Sequence, residues 1–120
     1  AGEHVSFSGV MSRPLPAQRP HPPIVIGGHA PAALRRAERF GSGWFGWELS
    51  PEQVAETVER LGGDLEITVT PDGAVDRDRV RAYADAGAHR LILQPAASTG
   101  DAADELIAYA SDELIDAKDR

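Results

Sequence analysis

The apolar positions of this chain alternate between short runs and helical spacing. Ile24, Val25 and Ile26 are contiguous, the pattern of a strand buried on both faces as in a parallel sheet. Gly27 and Gly28 stop that run and Pro31 suits a first helical position. Ala33, Leu34, Ala37 and Phe40 then recur at helical spacing, with Arg35, Arg36, Glu38 and Arg39 between them. Gly41 reads as the helix end. "GWFGW" offers a second strand over Trp44 to Trp47. Ser50-Pro51-Glu52-Gln53 then has the composition of a capped helix start, a cap being worth about 1 kcal/mol. Val54, Val58 and Leu61 line that helix, and Gly62-Gly63 closes it.

"LEITVT" alternates, with Leu65, Ile67 and Val69 on one side, and predicts the third strand. Asp76 can cap a third helix with Val80, Tyr83 and Ala84 inward and Gly87 at its end. "RLILQ" reads as strand four. A last helix opens at Asp101 with Leu106, Ile107, Ala110 and Leu114 inward, followed by the polar tail "DAKDR". Before all this, "GEHVSFSGV" alternates as a strand would, and Arg13 to Pro23 carries five prolines, which fix φ and remove donors. The expected organisation is an extended lead-in and Pro-rich connector over residues 1–22 and a (βα)4 domain over 23–120. Such alternation implies a parallel sheet. It leaves open an open doubly wound sheet or one half of a TIM (β/α)8 barrel, which needs about 250 residues.

Composition narrows the function. The chain has 120 residues, 42% of them apolar, and no run approaches the roughly 18 to 20 apolar residues that span a bilayer. No membrane association is expected, and the cytoplasm is the default compartment. A net charge of −7 with no Lys/Arg stripe argues against nucleic acid. The absence of cysteine excludes disulfides and thiol chemistry. Four separated histidines, His4, His21, His29 and His89, lack the spacing of a metal site, and no metal is expected. The acidic runs "DAADE" and "SDELIDAKD" read as solvated helix faces, and no Gly-x-Ser-x-Gly elbow occurs.

The strongest candidate chemistry lies at Gly27-Gly28. A helix N-terminus presents unpaired N–H groups and the positive end of the helix dipole, and a glycine pair lets an anion approach the backbone. Either a tight β-to-α turn or a phosphate subsite accounts for the pair. His29 beside it is a candidate contact or a plain loop residue. Trp44, Phe45 and Trp47 suit either the edge of a flat ligand or core packing.

"RPLPAQRPHPPIVIGGHAPAALRRAERFGSGWF" resembles a segment of the luciferase-like monooxygenases, and "LEITVT", "VRAYADAGAHRLILQP" and "GEHVSFSGV" are similar to further parts of that family. The resemblance covers essentially the whole chain. It implies the C-terminal half of a TIM barrel that binds FMN or coenzyme F420 and oxidises or reduces a small-molecule substrate. It carries the cofactor phosphate site onto Gly27, Gly28 and His29, and onto Gly43 and Trp44 after the next turn, while naming no catalytic residue. Ala30 stands where the family often has Ser, and Ser42 where Asp is usual. Half a barrel leaves open edges, so the implied partner is an N-terminal half-barrel or a second copy in a homodimer. Two other functions remain open. One is a non-enzymatic half-barrel that binds cofactor or serves assembly. The other is an isomerase or aldolase fragment using the same turn for a substrate phosphate, although the sole lysine, Lys118, lies in the tail.

Overall fold

The structure, a computed structural model, describes residues 2–62 and 64–115. Four strands alternate with four helices: β1 (Val25–Gly27), α1 (Pro31–Phe40), β2 (Gly43–Leu49), α2 (Pro51–Arg60), β3 (Glu66–Pro71), α3 (Arg77–Asp85), β4 (Arg90–Leu91) and α4 (Gly100–Tyr109). A single π-helical turn, Ala110–Leu114, extends α4. All neighbouring strands are parallel, and their spatial order is β1-β2-β3-β4. That order decides between the two architectures left open by the sequence. A doubly wound sheet reverses direction at a switch point, whereas a barrel adds each strand beside the last. The chain is wound the second way throughout, as a (βα)4 half of a TIM barrel.

The helices share one face of the sheet. Leu34 and Ala37 from α1, Val54 from α2 and Tyr83 from α3 form one buried cluster with Trp44, Leu49, Ile67 and Val69 of the strands. Strand alternation sends the intervening side chains to the opposite face. There Val25, Trp47 and Ile92 are 53%, 47% and 42% exposed. In a closed barrel this face is the interior.

Local chemistry explains the helix starts. Ser50 and Gln53 form a reciprocal capping box: the Gln53 N–H donates to Ser50 Oγ at 3.3 Å and the Ser50 N–H to Gln53 Oε1 at 2.9 Å. The Ser50 side-chain hydrogen bond also holds the Glu52 carboxyl below the usual carboxylate range. Asp76 accepts from the Arg79 N–H at 2.8 Å, and Thr99 from the Ala102 N–H at 3.3 Å, so α4 begins one residue before the expected Asp101.

Several expectations need correction. The lead-in forms no strand: residues 2–24 are exposed and outside the sheet strands, with Val5 and Phe7 among them, although the Ile24 carbonyl accepts from the Ser42 and Gly43 N–H groups at 2.8 and 3.3 Å. Phe40 is exposed at the last position of α1, beyond the core, where the Arg39 guanidinium covers its ring at 4.8 Å. Ile107 also faces outward. The π-helical turn shifts the phase of α4 by a residue, so Leu114 reaches the core while Ile107 does not. Strand β2 runs past Trp47 to Leu49, and β4 pairs over only two residues, although the Ile92 N–H still donates to the Val69 carbonyl at 2.9 Å. Gly63 and the tail from Asp116, including Lys118, lie outside the described residues.

Candidate functional site

At the C-terminal end of β1, Gly28 takes a φ of +108°, a conformation that side chains rarely adopt, and a Cβ there would also meet Ala33 Cβ at 3.2 Å. The turn thus requires glycine at 28. Gly27 is different: its backbone is an ordinary strand, it is exposed, and an added Cβ would come no closer than 3.9 Å to Phe45. No steric constraint within the chain calls for glycine at 27. Helix α1 follows with Pro31 at its first turn and Ala30 as an N-cap that makes no side-chain hydrogen bond, whereas α2, α3 and α4 are each capped by a side chain.

Strand β2 braces this turn at two points. The indole N–H of Trp44 donates to the Gly28 carbonyl at 3.0 Å, and the Trp47 backbone N–H donates to His29 Nε2 at 3.1 Å. An accepting Nε2 places the ring proton of His29 on Nδ1. The His29 and Trp44 rings lie 6.0 Å apart, tilted. Gly27, Gly28, His29 and Trp44 are therefore one constellation. Gly43 is not part of it: it begins β2, opposite Val25 and Glu66, and a Cβ there would sit 2.8 Å from the Glu66 carbonyl oxygen. Trp44 is fully buried on the helix side. The aromatic pair on the other face is Phe45 and Trp47, with ring centroids 6.3 Å apart.

A second feature lies toward the C-terminal end of β2, and the sequence did not single it out. Between the pairs Gly46–Val69 and Leu49–Pro71, β2 carries two residues, Trp47 and Glu48, against one residue of β3, Thr70. This is a β-bulge, and Glu48 within it has φ +49°, a left-handed conformation that costs an L-residue about 1–2 kcal/mol. Thr70 is 3% exposed, and its hydroxyl has no hydrogen-bond partner among the described residues. Both residues line a cavity of about 550 Å³ at the C-terminal ends of β2, β3 and β4, walled further by Asp72, Leu93, Gln94 and Tyr109. The sequence carried one signal for it: Thr68 and Thr70 are the polar off-beat positions of "LEITVT", aimed away from Ile67 and Val69.

One wall of the cavity is fixed by a polar cluster. Arg79 pairs with Asp72, and the Tyr83 hydroxyl donates to the Leu49 carbonyl at 2.5 Å and lies 3.2 Å from Asp72 Oδ1. Burial pushes the Tyr83 phenol up from its ordinary value. Tyr109 donates to the Val75 carbonyl at 2.9 Å and ties α4 to the loop after β3. His89 serves the opposite end of the sheet, its Nδ1 accepting the Ile67 N–H at 3.0 Å.

A parallel, sequentially wound half barrel belongs to the class whose ligands bind at the rim of the strand C-termini, where the Gly27–Gly28 turn and the cavity bordered by Glu48 and Thr70 lie. A family model described as luciferase-like monooxygenase matches residues 1–117, and the chain belongs to that family, a TIM-barrel family of oxidoreductases that generally uses flavin or F420. No solved structure matches the chain significantly. Among the described residues, no helix is long and apolar enough to cross a membrane, and no cluster of three or more His, Asp or Glu is placed to hold a metal ion.

Proposed function

We propose that this chain works as the C-terminal half of a luciferase-like oxidoreductase barrel, its Gly27–Gly28 turn receiving the phosphate end of FMN or coenzyme F420. The observation that carries the reading is the pairing of an uncapped α1 with an exposed glycine that no packing constraint explains. An outside group approaching Gly27 accounts for both, since Pro31 has no N–H and Ala33 already donates to the Ala30 carbonyl at 2.8 Å, which leaves the Ala32 N–H at the head of α1 for its oxygens. Bound there, the cofactor supplies hydride transfer or oxygen activation. The chain's own residues bind and orient it. Gly28 sets the turn, Trp44 and His29 hold that turn to β2, and the dipole of α1 favours the anion by about 0.3 to 1 kcal/mol.

The exposed face bearing Val25, Trp47 and Ile92 supports completion of the barrel by a second half or a second copy. A substrate then enters at the rim shared by the two halves.

Titration of the chain with FMN and with coenzyme F420, followed by cofactor fluorescence, tests the phosphate site. Saturable quenching by one of them is expected, and Gly27→Asp is expected to weaken it at least tenfold by placing a carboxylate against the phosphate. Gly27 is preferable to Gly28 for this change because its backbone accepts a side chain without strain. Fluorescence unchanged by the parent chain, or binding indifferent to Gly27→Asp, would remove the turn from the cofactor site.

A further inference from the structure

We propose that the cavity beyond β2, β3 and β4 is a recognition site for the ammonium end of a small organic amine with an apolar body, held by the Glu48 carboxylate and the Thr70 hydroxyl. Calling that amine the substrate rests on the oxidoreductase reading above; the binding itself does not require an occupied cofactor turn.

Three independent features converge on it. The bulge in β2 sets Trp47 and Glu48 against the single residue Thr70, and bulges next to sites serve to re-aim a side chain. Glu48 is held there in a left-handed backbone conformation that a glycine would adopt without strain, yet the position carries a carboxylate. Thr70 supplies the second feature. Its hydroxyl is buried without a partner, and a valine would fill the same volume in a strand at no hydrogen-bond cost. Thr70 borders the cavity, and its buried hydroxyl, with nothing among the described residues to satisfy it, points to a ligand atom as the missing partner.

The lining fixes the sign of the ligand. Glu48, Asp72 and Glu105 border the cavity, and no Lys, Arg or His does. Arg79 neutralises Asp72, while Glu48 and Glu105 form no ion pair among the described residues. The cavity is thus net negative and repels phosphates and carboxylates, in contrast to the α1 turn. Pro71, Leu93, Leu106 and Tyr109 supply the apolar walls, and about 550 Å³ lies within the range of small-molecule sites. An ammonium can donate to both the Glu48 carboxylate and Thr70 Oγ1 while its apolar body lies against those walls.

The test is an NMR titration of the ¹⁵N-labelled chain with benzylamine, benzoate and inorganic phosphate at neutral pH. Benzylamine is expected to shift the amides of Glu48, Thr70 and Gly73 saturably, and benzoate and phosphate to leave them in place. Glu48→Gln, at an exposed position, is expected to weaken benzylamine about tenfold. Thr70→Val is expected to weaken it severalfold with no loss of thermal stability. Absent benzylamine shifts, equal shifts with benzoate, or parent-like binding by Glu48→Gln overturns the proposal. Parent-like binding by Thr70→Val overturns the role of the hydroxyl. Phosphate shifts confined to Gly27–Ala32 report on the cofactor turn, and that reading stands or falls separately.

Discussion

The indole N–H of Trp44, buried among the side chains beneath the helices, donates to the carbonyl of Gly28 at 3.0 Å. This bond couples the core of the half barrel to the turn at its rim. Trp44→Phe keeps an aromatic ring but leaves that carbonyl unpaired and the core underfilled. A loss of about 2–3 kcal/mol is expected in urea unfolding. Fluorescence offers a second readout, because the remaining tryptophan of the two, Trp47, is about half exposed. The variant's emission should lie to the red of the parent's; an unshifted spectrum would contradict the buried placement of Trp44.

Gly43 has a different role. The strand pairing places its α-carbon so close to the Glu66 carbonyl that a methyl group would sit 2.8 Å from the oxygen. Gly43→Ala is therefore expected to loosen the β2–β3 ladder and cost about 1–3 kcal/mol by overpacking. Cofactor titrations on the folded fraction should be unaffected. A stability equal to the parent's would show that the two strands stand further apart.

The Ser50–Gln53 capping box makes α2 a separable unit of stability. Ser50→Ala removes the acceptor for the Gln53 N–H, and a decrease of about 1 kcal/mol is expected in the unfolding free energy. Ser50→Asp restores an acceptor and should recover most of the loss. If neither substitution moved the urea midpoint, the cap would not contribute to the folded state.

Tyr83 carries a pH dependence whose direction follows from its burial. The folded chain keeps the phenol neutral, so its value is raised, whereas the unfolded chain releases the proton near the ordinary 10.0. The contribution to stability is complete below that pH and is lost as pH rises through the folded value. Tyr83→Phe should lower stability at neutral pH by about 1–2 kcal/mol, through loss of the bond to the Leu49 carbonyl, and should flatten the alkaline decline. Urea midpoints collected from neutral to strongly alkaline pH check both effects. An alkaline decline as steep in the variant as in the parent would assign it to other groups.

The parts of the fold legible in the sequence were those written in local chemistry. Pro31, the Ser50–Gln53 box, Asp76 and Gly87 mark helix ends by residue type, and the structure places them at those ends. The alternation of "LEITVT" is equally local. Composition left the winding of the sheet open, because a doubly wound sheet and a half barrel share the same βα order and differ only in where each strand lands. The cavity bordered by Glu48 and Thr70 was hidden for a related reason. It depends on a register shift between two strands, and neither "GWFGWEL" nor "EITVTP" carries the bulge by itself. The lead-in misled because alternation at Val5 and Phe7 is a strand's pattern, and a pattern alone does not supply the pairing with another strand that stabilises one.

The exposed face of the sheet makes the last prediction. Val25, Trp47 and Ile92 would not remain half exposed in a closed barrel, and β1 and β4 each leave one ladder edge open among the described residues. Burying such a face and its edges is favourable by roughly 25 cal/mol per Å² of apolar area before the cost of association. If a second copy closes the barrel, sedimentation at micromolar concentration should give a dimer. Ile92→Lys, which sets a charge at the β4 edge of that face, should shift the chain to monomer without loss of helix by circular dichroism. A parent chain that sediments as a stable monomer would leave the face to a separate N-terminal half. Co-expression with such a half should then recover a one-to-one complex, again disrupted by Ile92→Lys.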